Sequence, residues 1–209
     1  MMNLQFITHR THRYDYAEGV ELALKGGCEW VQLRMKDVSD DDFLQVGRKV
    51  KTLCAAYGAT FILDDRVHLV KALRADGVHL GKQDMAIDEA RRQLNDDSLL
   101  IGGTANTMED IRKLCEMGAN YIGCGPFRYT STKKNLAPLL GLEGYSRLMR
   151  TMKEERLLVP VVAIGGILRE DIPAIAKTGV SGIAVSGAIL HADNPKVEMQ
   201  RFVEATINI

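Results

Sequence analysis

Net charge is the first thing this 209-residue chain lacks: Lys+Arg and Asp+Glu each number 27, so the formal charge at neutral pH is zero. No long-range field draws such a chain to nucleic acid or to an anionic membrane, and neither is expected as a partner; any anion must be gripped by charges placed locally. Long apolar runs are missing too. No stretch approaches the roughly 20 apolar residues of a membrane span, and Met1-Met2-Asn3 opens no basic segment leading into an apolar one, so a cytoplasmic protein is expected. The four cysteines, Cys28, Cys54, Cys115 and Cys124, contain no CxxC pair and stand among core-like residues, which favours reduced structural thiols over disulfides or zinc. There is no Pro/Ser-rich linker and no low-complexity tract. At 46% hydrophobic composition, residues 1–209 suit one domain with a full core, with homo-oligomerisation left open.

What the chain does have is alternation. Short apolar strands are expected near Leu4 to Thr8, Trp30 to Leu33, Thr60 to Leu63, Gly77 to Leu80, Leu99 to Gly102, Tyr121 to Gly123, Val159 to Ile164 and Gly182 to Val185. Between them, Ala17 to Lys25, Asp40 to Tyr57, Val67 to Leu73, Met108 to Met117, Glu143 to Met152, Glu170 to Lys177 and Pro195 to Ala205 carry apolar residues at helical spacing. Glycines at 26-27, 58, 77, 118 and 179 read as left-handed helix C-caps. Repeated βα units of this number close into a single (β/α)8 TIM barrel, an α/β fold, more naturally than they stack into an open sheet, and barrels gather their chemistry at the carboxyl ends of the strands.

The strand ends are polar in a particular way. In extended chain, residues two apart share a face, so Gln32, Arg34 and Lys36 after the second strand project together as an anion grip. The third and fourth strands end in Asp64-Asp65 and, after Gly81-Lys82-Gln83, Asp84; carboxylates are what a hard cation such as Mg2+ prefers. Cations beside such ligands indicate a pyrophosphate site. Gly165-Gly166 and Ser186-Gly187 follow the last two strands, where barrels often hold a phosphate on backbone N–H groups. The loop Gly125 to Asn135 adds Thr130, Thr132, Lys133 and Lys134, hydroxyls and ammoniums suited to phosphate oxygens.

Duller readings stand beside these. Arg34 and Lys36 could form ordinary ion pairs with Asp65 and Asp84. Asp84 could N-cap a helix beginning near Met85, the glycines could serve strand-to-helix packing, and the 125–135 loop could be solvated surface. His9, His12, His68, His79 and His191 form no catalytic or metal cluster and read as structural or surface residues, and Trp30 as packing.

The segments QLRMK, ILDDR, DGVHLGKQD, IGGTANT, YIGCGPF followed by TSTKK, VAIGGI and GIAVSGAI stand in the order found in thiamine-phosphate synthases, and the chain resembles that family from Leu4 to about Phe202. The resemblance implies a transferase joining a hydroxymethylpyrimidine diphosphate to a thiazole phosphate, or its carboxylate form, by a dissociative route that releases pyrophosphate. It also implies roles: Arg34, Lys36 and Lys133 on pyrophosphate, Asp65 and Asp84 on Mg2+, and Gln32 at the pyrimidine. Thr130 and Thr132 would serve the phosphate or a moving loop, and Gly166 with Ser186 and Gly187 the thiazole phosphate. Two departures from the family pattern are visible. Asp64 stands where Asn is common, adding a charge that calls for a partner such as Arg66. Thr104-Ala105-Asn106-Thr107 replaces Ser-x-His-Thr, keeping a hydroxyl at Thr104 for substrate but putting an amide where the related thiazole tautomerases need a base. Tautomerase activity and non-catalytic phosphate binding remain the alternatives.

Overall fold

The computed structural model describes residues 3–129 and 139–207. Among them, parallel strands β1 (Leu4–Ile7), β2 (Trp30–Leu33), β3 (Thr60–Asp64), β4 (Gly77–Leu80), β5 (Leu100–Ala105), β6 (Tyr121–Cys124), β7 (Val161–Ile164) and β8 (Gly182–Val185) pair in sequence order. The β1–β8 pairing, Leu4 to Ile183 through Phe6 to Val185, closes the barrel. The helices outside it are α1 (Tyr16–Lys25), α2 (Asp40–Tyr57), α3 (Val70–Leu73), α4 (Ile87–Leu94), α5 (Met108–Glu116), α6 (Gly141–Glu154), α7 (Ile172–Ala176), α8 (Gly187–Leu190) and α9 (Pro195–Thr206).

The expected elements differ from these mainly at their ends. Val67 to Leu73 and Glu170 to Lys177 each begin as a single 3-10 turn before becoming helical. Helix α4 was not among the expected helices: its buried Ile87, Ala90 and Leu94 are three and four residues apart, but eight residues give the pattern little length. Gly27, Gly58, Gly118 and Gly179 do adopt positive φ, whereas Gly77 is no cap but the first residue of β4, and Arg74 ends α3 at φ 48° in its place. A Cβ on Gly77 would lie 1.9 Å from the Leu100 carbonyl oxygen, so strand pairing requires the glycine.

Strand alternation produces two apolar layers. Outward residues such as Phe6, Val31, Phe61, Leu63, Val78, Ile101 and Ile122 pack under the helices. Inward residues Ile7, Trp30, Ile62, Tyr121, Val162 and Ala184 plug the barrel itself. Trp30 meets Tyr121 edge-on at 4.9 Å between ring centroids, confirming its packing role. Gly102 makes room for that ring, since a Cβ there would come within 2.2 Å of Tyr121 Cζ. The plug fills the lower barrel and forms the floor under a polar mouth.

Candidate active site

A cavity of about 680 Å³ opens at the carboxyl ends of the strands, large enough for two small substrates. Its wall contains every expected site residue that the structure describes: Gln32, Arg34, Lys36, Asp64, Asp65, Asp84, Thr104, Gly166, Ser186 and Gly187. Thr130, Thr132 and Lys133 lie outside the described residues.

On the β2–β4 side the acids and bases interlock. Thr8 carries the β1–β2 pairing past the strand ends: its Oγ1 accepts from the Arg34 N–H at 2.9 Å and donates to the Arg34 carbonyl at 3.1 Å. Arg34 Nε lies 3.6 Å from Asp64 Oδ2, Lys36 Nζ lies 3.0 Å from the same oxygen, and Lys36 also bonds Asp65. Asp64 Oδ2 is buried, and the Lys36 ammonium and Arg34 guanidinium are the charges that face it. Burial, with repulsion from Asp65 second, pushes the Asp64 carboxyl up to about 6 against the pull of Lys36 and Arg34. Burial opposes ionisation of Asp65 too, but the bonds from Lys36 and Asp84 outweigh it and hold Asp65 low. Asp84 is raised, first by burial and then by its hydrogen bond with Asp65. The two carboxylates therefore face each other between two strand ends, one held low and the other raised. Asp65 sits at φ 67°, a left-handed backbone that is uncommon for a non-glycine residue and concentrates at functional sites.

The alternative reading of Asp84 and the expected partner of Asp64 are both corrected here. Asp84 caps no helix: its Oδ2 accepts from the Gly81 N–H at 2.6 Å, closing the turn after β4, and α4 begins at Ile87 behind an uncapped Ala86. Arg66 is not the partner of Asp64. It bonds Asp40 at 2.5 Å and stacks 4.8 Å over the Phe43 ring, leaving Asp64 to Lys36 and Arg34.

The floor is a polar network. The Tyr121 hydroxyl contacts His79 Nδ1 at 3.2 Å and Gln5 Nε2 at 3.5 Å, and is also hydrogen-bonded to Gln32. His79 Nε2 reaches Thr104 Oγ1 at 2.9 Å. One chain of contacts thus links Gln32, expected at the pyrimidine, with Thr104, whose hydroxyl was expected to serve substrate. Three of the histidines read as structural or surface residues, His9, His79 and His191, stand on the cavity wall instead. The inward parity of Gln5 and Ile7 in β1, carried on to His9 just past the strand, is the sequence signal that could have singled out His9. Asn106 is turned away from proton transfer, its amide donating to the Gly125 carbonyl at 2.5 Å.

Across the barrel, Gly165 and Gly166 adopt φ of 101° and 68°. A Cβ on Gly166 would come within 2.5 Å of Arg128 Cγ and 2.8 Å of the Tyr129 carbonyl oxygen, so part of its requirement is contact with the segment after β6. Gly187 differs: a Cβ there would meet nothing closer than His191 at 3.4 Å, an ordinary contact. Protein packing does not demand that glycine.

Residues 4–189 match the family model described as thiamine monophosphate synthase. The chain belongs to the thiamine monophosphate synthase family. It is 55% identical over 203 residues to the thiamine-phosphate synthase of Bacteroides fragilis, covering 97% of this chain and 99% of that one. It is 45% identical to the enzyme of that name from Flavobacterium johnsoniae, over 96% and 94% of the two chains. Among solved structures, thiamine phosphate pyrophosphorylase from Pyrococcus furiosus superposes with a TM-score of 0.87 at 33% identity, covering 98% of this chain and 95% of that one. The three acids after β3 and β4 and the glycine turns after β7 and β8 line the same cavity. The four cysteines are free, burial pushes the Cys28 thiol up to about 11 and those of Cys54 and Cys124 up to about 12, and none of the four lines the cavity. Among the described residues no helix is long and apolar enough to cross a membrane.

Proposed function

We propose that this chain couples 4-amino-2-methyl-5-hydroxymethylpyrimidine diphosphate to 4-methyl-5-(2-phosphoethyl)thiazole, giving thiamine phosphate and pyrophosphate, or to its carboxylate form, which gives the same products with loss of the carboxyl group as CO2. The observation that carries this reading is the cluster of Arg34 and Lys36 with Asp64, Asp65 and Asp84 at one side of the mouth, a grouping suited to a departing pyrophosphate.

The C–O bond of the pyrimidine methylene breaks first, and its electron pair leaves on the pyrophosphate oxygen. The thiazole nitrogen then gives its lone pair to the electron-rich pyrimidine cation, forming the new C–N bond. No protein nucleophile takes part; the protein's work is to hold charge where it develops. Arg34, Lys36 and Lys133 receive the negative charge of the leaving group. Gln32 and Thr104, held by Tyr121 and His79, orient the pyrimidine. Gly166, Ser186 and Gly187, with Thr130 and Thr132, receive the thiazole phosphate on the opposite side.

Asp65 and Asp84 fit Mg2+. Their carboxylates lie within hydrogen-bonding reach of each other, where a divalent cation could bridge them, and two oxygen ligands from protein with the rest from phosphate or water is the usual Mg2+ arrangement. Bound there, the ion would neutralise charge on the leaving diphosphate. Reduced thiols suit a cytoplasmic setting for this activity. Pyrophosphate release from the two substrates, measured with and without Mg2+, tests the reading; no release with Mg2+ present overturns it.

A further inference from the structure

Ser186 has one hydroxyl proton, and the structure shows where it goes. Oγ donates to the Ile7 carbonyl at 2.5 Å, so toward His9 Nδ1, 2.7 Å away, it can only accept. Those two bonds fix the tautomer. His9 carries its proton on Nδ1, and Nε2 is the nitrogen left to gain one. They also occupy the serine: with its proton on Ile7, the Ser186 hydroxyl has none to offer a phosphate oxygen.

The surroundings of His9 are basic. His191, from the segment after α8, lies 5.5 Å away between ring centroids, and the charge of Arg34, from the end of β2, also acts on it. Burial first, then these two neighbours, hold the imidazole below its ordinary value. Arg34 alone of the three has an acidic neighbour, Asp64 at 3.6 Å; the one histidine–carboxylate ion pair among the described residues is His68 with Asp40, far along the chain. All three groups line the cavity. Bases gathered on a cavity wall repel one another, and an anion entering between them reverses the sign of the interaction.

We propose that His9 is a further ligand of the thiazole monophosphate: Ser186 holds it by Nδ1–H, and it takes up a proton at Nε2 and donates from there to a phosphate oxygen. This rests on the reading that the β7–β8 side receives the monophosphate. Ser186 then acts on the phosphate through the imidazole it positions, and its own backbone remains available as a donor.

The choice of variant separates binding from mere support. In His9→Asn the side-chain amide can replace Nδ1 as donor to Ser186 while nothing replaces Nε2; in His9→Gln the amide reaches the Nε2 position as a neutral donor. Steady-state kinetics of the full chain with Mg2+, varying each substrate in turn, should show His9→Asn raising KM for thiazole phosphate roughly ten- to a hundredfold, the scale of a lost hydrogen bond to a charged group. KM for the pyrimidine diphosphate should stay within about twofold, and His9→Gln should recover part of the loss. Unchanged KM in His9→Asn, or a rise confined to the diphosphate, overturns the proposal. A second measurement stands apart from turnover. In histidine-labelled protein, NMR should show His9 as the Nδ1–H form, moving to imidazolium as thiazole phosphate is added. Absence of that movement at saturating thiazole phosphate overturns the role of His9 whether or not the protein makes thiamine phosphate, whereas movement without turnover places the failure in the proposed reaction alone.

Discussion

Lys36 Nζ stands 3.0 Å from Asp64 Oδ2 and bonds Asp65 as well, so one ammonium serves two carboxylates while Asp84 adds a third acid beside them. Carboxylates outnumber the cation they share, and a divalent ion on Asp65 and Asp84 would release Lys36 toward the leaving group.

Activity should therefore require a divalent cation. Asp65→Ala and Asp84→Ala should each lower kcat/KM by about two orders of magnitude or more, with circular dichroism unchanged. Near-normal rates in both variants, or full activity in excess EDTA, would remove the metal from these two residues.

Asp64 should make stability depend on pH. Its carboxyl is held at about 6, above its ordinary value of 3.8, so the folded chain binds this proton more tightly than the unfolded chain. The contribution favours folding below the ordinary value and is lost as pH rises through about 6. In EDTA at pH 8, Asp64→Asn should be more stable than the parent by on the order of 1–3 kcal/mol, and the gap should close toward pH 4. Urea unfolding across that range checks it; a variant less stable at pH 8 would show that Lys36 and Arg34 outweigh burial.

Thiazole isomerisation should be slow. Asn106 offers an amide, already committed to the Gly125 carbonyl, at the position where the tautomerases have a base. Mixing the protein with a thiazole carboxylate phosphate tautomer and following its ultraviolet spectrum should show little change on the timescale of thiamine phosphate formation. Rapid isomerisation without coupling would reverse that ranking.

The two halves of the mouth should separate kinetically. Lys133→Ala should lower the rate of the chemical step by about 2–4 kcal/mol in barrier, comparable to losing one oxyanion donor. Gly166→Val should raise KM for thiazole phosphate, and because its Cβ would also crowd Arg128 and Tyr129 at φ 68°, its melting temperature should fall. Impaired use of the diphosphate alone in Gly166→Val, or of thiazole phosphate alone in Lys133→Ala, would exchange the assignments.

Much of this was readable from the chain because strand ends announce themselves. Apolar runs stop where Arg34, Asp64 and Ser186 begin, and a two-residue period places Gln32, Arg34 and Lys36 on one face without any knowledge of their neighbours. Partners are another matter. Arg66 is next but one to Asp64, yet the left-handed turn at Asp65 sends it outward to Asp40, a choice made by one backbone angle. His79 and His9 read as structural or surface residues because no partner stands near either in sequence; the Tyr121 hydroxyl and Ser186 that give them meaning are 42 and 177 residues away. The short helix α4 escaped notice since its polar residues outnumber the three that anchor it.

The segment after β6 leaves and rejoins the barrel at one place. Leu140 N–H donates to the Pro126 carbonyl at 2.9 Å and Gly141 N–H to that of Phe127 at 3.1 Å, while the buried Tyr145 hydroxyl donates to Cys124 and accepts from the Ile164 N–H. Those bonds tie the end of β6, the start of α6 and the end of β7 to one another, so this edge of the mouth is braced by backbone groups and one tyrosine hydroxyl, and side chains lining the cavity can change without loosening it.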